Sequence, residues 1–75
     1  MSNKVTIKVN INNTIYPVTC EMGEEDKLIN ASNVVNKAIE ELSSISSGIS
    51  ETRLLAMTSL DLADKLNEKV TLFDI

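Results

Sequence analysis

Between Arg53 and Leu66 the chain reads RLLAMTSLDLADKL, and its apolar residues are too many, and too widely spread around a helix, for one small core to cover. The whole protein has only 75 residues. A chain of that size buries about 60 to 65 per cent of the surface its unfolded form exposes. Such domains usually make up the deficit with disulfides, a structural metal or another chain. Cys20 is the single cysteine and histidine is absent, so an internal disulfide and the usual Cys/His zinc sets are both excluded. Association with another chain is the remaining route.

Placed on a helical wheel at about 100 degrees per residue, Leu55, Ala56, Leu62, Ala63, Leu66, Val70 and Phe73 fall within roughly a third of the circumference. Leu54, Met57 and Leu60 occupy a second sector, which turns acidic below Leu60 with Asp61, Asp64 and Glu68. The expected arrangement sets Leu54, Met57 and Leu60 against the rest of the chain. It leaves Leu55, Leu62, Leu66, Val70 and Phe73 as a dimer interface with a second copy. Ala56, Ser59, Ala63, Leu66, Val70 and Phe73 follow the alternating threes and fours of a heptad seam. Leaving Leu66 and Phe73 in water would forgo on the order of 1.5 to 3 kcal/mol each, against a total stability of about 5 kcal/mol at the low end for a small domain. The competing arrangement folds the stripe back on the preceding helix within one chain.

What precedes this helix is a hairpin and a first helix. Val5, Ile7, Val9 and Ile11 alternate with Thr6, Lys8 and Asn10, the period of a half-buried strand. Asn12-Asn13 is a two-residue turn of residues that tolerate positive φ, and Thr14 to Cys20 forms the return strand. That turn sets Ile11 opposite Thr14, Val9 opposite Tyr16, Ile7 opposite Val18 and Val5 opposite Cys20. Pro17 then stands opposite Lys8 in a non-hydrogen-bonded pair, where its missing N–H faces away from the first strand.

After MGEED, apolar residues recur at Leu28, Ala31, Val35, Ala38, Leu42 and Ile45, an amphipathic helix with acids at its positive end. SSISSGIS ends it, Gly48 being free to take positive φ. Ser50 is the expected N-cap of the second helix, with Ile49 placed to close a hydrophobic staple on Leu54. The fold class is therefore α+β in the order ββαα, with a ββα head over residues 1–50 and a dimerisation helix over 51–75.

Chemistry finds little purchase here. Cys20 has no histidine to act as its base, and its place on the apolar side of a strand predicts an inert thiol. Glu24, Glu25 and Asp26 lack the spaced ligands of a calcium loop and complement a helix dipole. With glycine only at positions 23 and 48, no phosphate-cradling loop can be built. The expectation is a protein without catalytic, cofactor-binding or metal-binding residues. A net charge of −4 opposes nucleic acid as a partner. No run of 18 apolar residues marks a membrane span, and the N-terminus lacks a signal-peptide pattern, so a cytoplasmic, reduced setting is expected.

VTIKVN, IYPVTC, GEEDKL and RLLAMTSLDLADKL, in that order, resemble the ZapA family of bacterial cell-division proteins. The resemblance covers about residues 4 to 68. It rests on Tyr16 and Cys20 in the second strand, GEE followed by Leu28, and Leu60, Ala63, Asp64 and Leu66 in the last segment. It implies a non-enzymatic role at the division site: a homodimer, or a tetramer of two dimers, that crosslinks filaments of the tubulin-like GTPase FtsZ. Among the exposed charges near the interhelix loop, Glu41, Glu51 and Arg53 are the filament-binding candidates. Arg53 leads them, since arginine is enriched in interfaces and the position precedes the family's apolar helix run. Family members often place a glycine in the hairpin turn where this chain has Asn12-Asn13. They also continue the second helix further, so a sequence ending at Ile75 is expected to be a truncated coiled coil or a natural short form. Two alternatives from other classes are a ribbon-helix-helix DNA-binding regulator and an antitoxin-like adaptor dimer. The acidic total and the second strand oppose the former.

Overall fold

The computed structural model describes residues 3–70, with side chains from residue 3 to residue 67. Its elements are β1 (Lys4–Ile11), β2 (Thr14–Glu21), α1 (Glu25–Ile45) and α2 (Glu51–Val70), the expected ββαα order. The chain forms two compact units, residues 1–36 and 37–75, which divide inside α1. The sequence reading instead separates head from dimerisation helix at residues 50 and 51.

In the first unit, β1 and β2 pair antiparallel with Ile11 opposite Thr14, Val9 opposite Tyr16, Ile7 opposite Val18 and Val5 opposite Cys20, the register the two-residue turn requires. Asn12 and Asn13 both take positive φ, 52° and 67°, which primed hairpin turns demand and asparagine supplies without glycine. Val9 is buried, and Val5, Ile7, Ile11, Val18 and Cys20 are half-buried, so one face of the hairpin carries the apolar set. The other face is exposed. There the Thr6 and Thr19 hydroxyls lie 3.2 Å apart, and Lys4 stands 4.0 Å from Glu21.

The Met22 amide donates to the Asn3 carbonyl at 2.7 Å, which extends the ladder by one pair. It also fixes which pairs are hydrogen-bonded: the odd-numbered residues of β1 face β2, and the even-numbered ones direct their backbone groups outward. α1 holds the turn through a side chain that periodicity does not single out. The Asn12 amide donates to Asn36 Oδ1 at 2.9 Å, and Asn36 Nδ2 donates to the Asn10 carbonyl at 2.7 Å.

Gly23 takes φ +95°, with open space where a Cβ would stand, so backbone conformation alone selects glycine there. Its amide donates to Glu25 Oε1 at 2.6 Å, and the Glu24 carbonyl accepts from the Leu28 amide at 3.3 Å to open α1. Glu25 and Asp26 occupy the first turn, where negative charge meets the positive end of the helix dipole. The covered side of this half of α1 is Leu28, Ser32 and Val35, whereas Ala31 is exposed. Ser32 displaces the expected stripe. Its hydroxyl donates to the Ile29 carbonyl at 2.7 Å, so a polar side chain is buried with its donor satisfied.

In the second unit, α1 buries Ala38 and Ile39, half-buries Leu42 and ends with Ile45 exposed, so the apolar stripe stops short of its expected last member. Gly48 turns the chain at φ +78°. Ser50 caps α2 as expected: its Oγ accepts from the Arg53 amide at 3.3 Å, and its carbonyl accepts from the Leu54 amide at 2.9 Å. Leu54 is buried, and Thr58, one turn on, is 2 % exposed with its hydroxyl donating to the Leu54 carbonyl at 2.8 Å. An Asp61–Lys65 pair at 3.2 Å follows on the helix surface, worth less than about 1 kcal/mol at that exposure.

Candidate functional site

Burial along α2 divides the helix into faces that composition does not separate. The covered face runs from Asp61 through Leu54 and Thr58 to Leu62 and Leu55, of which only Leu54 and Thr58 are fully buried. Met57, 38 % exposed, and Leu60, 72 % exposed, lie outside it, although the sequence reading grouped both with Leu54. The wheel gives the reason. Thr58 stands about 40 degrees from Leu54 on one side, whereas Met57 stands about 60 and Leu60 about 120 degrees away on the other. A satisfied threonine can therefore occupy the centre of the covered face and turn both apolar residues toward water.

The expected dimer residues are likewise divided. Leu55 and Leu62 are half-buried, while Leu66 is 63 % exposed. Val70 closes α2 without a described side chain, and Phe73 lies outside the described residues. Ala56, Ser59 and Ala63 are exposed together with Leu66, so the described part of the heptad-spaced line lies on the open side of the helix.

The three charged candidates are not gathered in one place. Arg53 lines an open groove of about 500 Å³ formed by residues 46–50 with Met57. Glu41 lines a separate shallow depression on α1, about 340 Å³, with Lys37, Glu40 and Ser44. Glu51 is the exposed first residue of α2 and borders neither hollow. Among the described residues the ion pairs are Lys4–Glu21, Lys27–Glu24 and Lys65–Asp61, none of which engages the Arg53 guanidinium. Sequence reasoning overlooked Met57 as the apolar part of the Arg53 groove, because helical spacing assigned it inward. The signal that places it beside Arg53 is the i, i+4 interval.

Cys20 is half-buried. Partial burial, and then the negative charge of Glu25, Glu24 and Glu21, hold its thiol above the ordinary value. The thiolate fraction near neutral pH is correspondingly small, and Cys20 is expected to react with iodoacetamide more slowly than a thiol in a short unstructured peptide. Equal rates across the alkaline range would show an unperturbed group. Because the folded-state value is the raised one, the associated stability is fully present below the ordinary thiol range and is lost as pH rises through the folded value. Among the described residues no group of three or more Asp, Glu, Cys or His side chains is placed to hold a metal ion. No described helix is long and apolar enough to cross a membrane.

The family model described as "Cell division protein ZapA" matches residues 7–71. Among solved structures, an "Unknown conserved bacterial protein from Pseudomonas aeruginosa PAO1" is similar with a TM-score of 0.78 and 23 % identity, over 92 % of this chain and 76 % of that one. At that identity the likeness speaks for the fold. No curated protein sequence gave a match.

Proposed function

Because the chain belongs to the ZapA family of cell-division proteins, we propose that it acts without catalysis, as a homodimer that binds and crosslinks FtsZ filaments at the cytoplasmic division site. The observation that carries the assembly is the exposed line Ala56, Ser59, Ala63 and Leu66 on α2. Heptad-spaced residues on the open side of a helix suit a second helix of the same kind, and Val70 and Phe73 continue the spacing. The small residues in the line allow close approach of two backbones. Dimerisation supports the function directly, because two linked heads turn a weak single contact into effective bundling without any new contact. Two such dimers joined as a tetramer would multiply the heads again.

Filament contact falls to Arg53, with Glu41 and Glu51 as the further candidates. Arg53 rims a groove with the apolar Met57, and none of the ion pairs described engages its guanidinium. Arginine beside an apolar side chain is the composition from which interface anchors are drawn. Co-sedimentation with FtsZ filaments tests this. Arg53→Ala, with circular dichroism unchanged, is expected to bind about tenfold more weakly than wild type, the scale of a single interface anchor. Undiminished pelleting would remove Arg53 from the contact.

A further inference from the structure

The hairpin has two outer edges, and they are not equivalent. On β2 the outward backbone groups belong to Ile15, Pro17, Thr19 and Glu21, since their partners Asn10, Lys8, Thr6 and Lys4 are the non-hydrogen-bonded ones. Pro17 has no N–H to offer, so this edge is interrupted at its centre. On β1 the outward groups belong to Lys4, Thr6, Lys8 and Asn10. The Asn10 carbonyl is taken by Asn36 Nδ2, which closes that edge at the turn. Lys4, Thr6 and Lys8 remain, and the sheet has no third strand among the described residues.

We propose that the β1 edge from Lys4 to Lys8 is a docking site for an extended acidic peptide segment of a partner protein, which adds to the hairpin as a third strand. Outward N–H and C=O groups of Thr6 and Lys8 supply the backbone hydrogen bonds, and alternate side chains supply selectivity. Residues of the incoming strand opposite Lys4, Thr6 and Lys8 lie on the exposed face. The intervening ones join the face of Val5, Ile7 and Val9, of which Val5 and Ile7 are only half-buried. An alternation of carboxylates and apolar residues therefore fits both faces at once.

Charge selects this occupant over a second copy. Lys8 is exposed and takes part in none of the ion pairs among the described residues, and Lys4 reaches Glu21 only at 4.0 Å. If β1 paired antiparallel with its own copy about Thr6, Lys4 would stand opposite Lys8. Pairing about Ile7 would bring both Lys8 side chains to one face. Like charges across a ladder are destabilising, whereas carboxylates there meet the Lys8 ammonium, outside every ion pair among the described residues, and the Lys4 ammonium at the far limit of its pairing with Glu21.

A fluorescein-labelled octapeptide alternating glutamate and valine, titrated with the whole protein and read by fluorescence anisotropy, tests the proposal. Binding is expected for this probe and at least tenfold less for the matching lysine–valine peptide. Thr6→Pro removes one outward N–H at a position where the hairpin makes no internal backbone bond, at the cost of the exposed Thr6–Thr19 hydroxyl contact, and should weaken binding at least tenfold with circular dichroism unchanged. Should that variant fail to fold, N-methylation of alternate amides in the probe blocks the same ladder on the wild-type protein. Lys8→Glu should reverse the preference between the two peptides. Absence of binding, equal binding of both peptides, or binding indifferent to Thr6→Pro and to N-methylation would overturn the proposal. So would light scattering in which Thr6→Pro lowers the mass of the protein alone, because a second copy would then occupy the edge.

Discussion

Leu66→Glu is expected to leave the protein as a monomer of 8.2 kDa in light scattering at concentrations where the wild type, as the proposed homodimer, is expected to run at twice that mass. Leu66 is the described residue that best isolates association, being 63 % exposed within one chain. Its replacement therefore removes less packing from the monomer than replacement of a covered leucine would. Across a symmetric interface the loss occurs twice, and burial of a leucine contributes about 1.5 to 3 kcal/mol, so the pair forfeits roughly 3 kcal/mol or more. That corresponds to more than a hundredfold rise in the dissociation constant, before the repulsion of two facing carboxylates is added. Leu62→Glu should also give monomer or unfolded chain, but Leu62 is half-buried, so that variant mixes folding with association. If Leu66→Glu loses its helical signal on dilution, folding and pairing are a single step, as in obligate dimers. An unchanged dimer would put the interface on another face.

The contrast between Leu62 and Leu66 shows where sequence reasoning held and where it stopped. The hairpin was legible to the residue, because a two-residue turn leaves one register and asparagine meets both positive φ values. Ser50 was legible as a cap for the same reason: the interaction spans three residues and depends on nothing distant. The rotation of each helix was not. Ser32 and Thr58 are buried although their composition reads outward, since each hydroxyl finds a carbonyl in the preceding turn. Asn36 read as one more polar residue, yet it holds both sides of the turn from 24 and 26 positions away. Of the candidate site, periodicity located the exposed line through Ala56, Ala63 and Leu66 but could not tell it from the half-covered flank at Leu55 and Leu62. Charge pattern offered Glu41, Glu51 and Arg53 together, and no local rule could say that they border different hollows.

Leu54→Ala is expected to cost about 2 to 5 kcal/mol, from two fifths to all of the roughly 5 kcal/mol at the low end for a domain of this size. Leu54 is 7 % exposed and Leu60 is 72 % exposed, although the sequence reading grouped the two in one sector. Leu60→Ala in one chain should fall within about 0.5 kcal/mol of wild type, the range for surface substitutions. Both are best compared in the Leu66→Glu background, where pairing contributes nothing to the urea midpoint. A separation of well over 1 kcal/mol between them follows from the centring of the covered face on Leu54 and Thr58. Equal losses would mean that Met57 and Leu60 are enclosed after all. In that case the outward line would shift toward Leu55 and Leu62, and Leu66 would stand at the centre of the interface, with Ala56 and Ala63 at its edge.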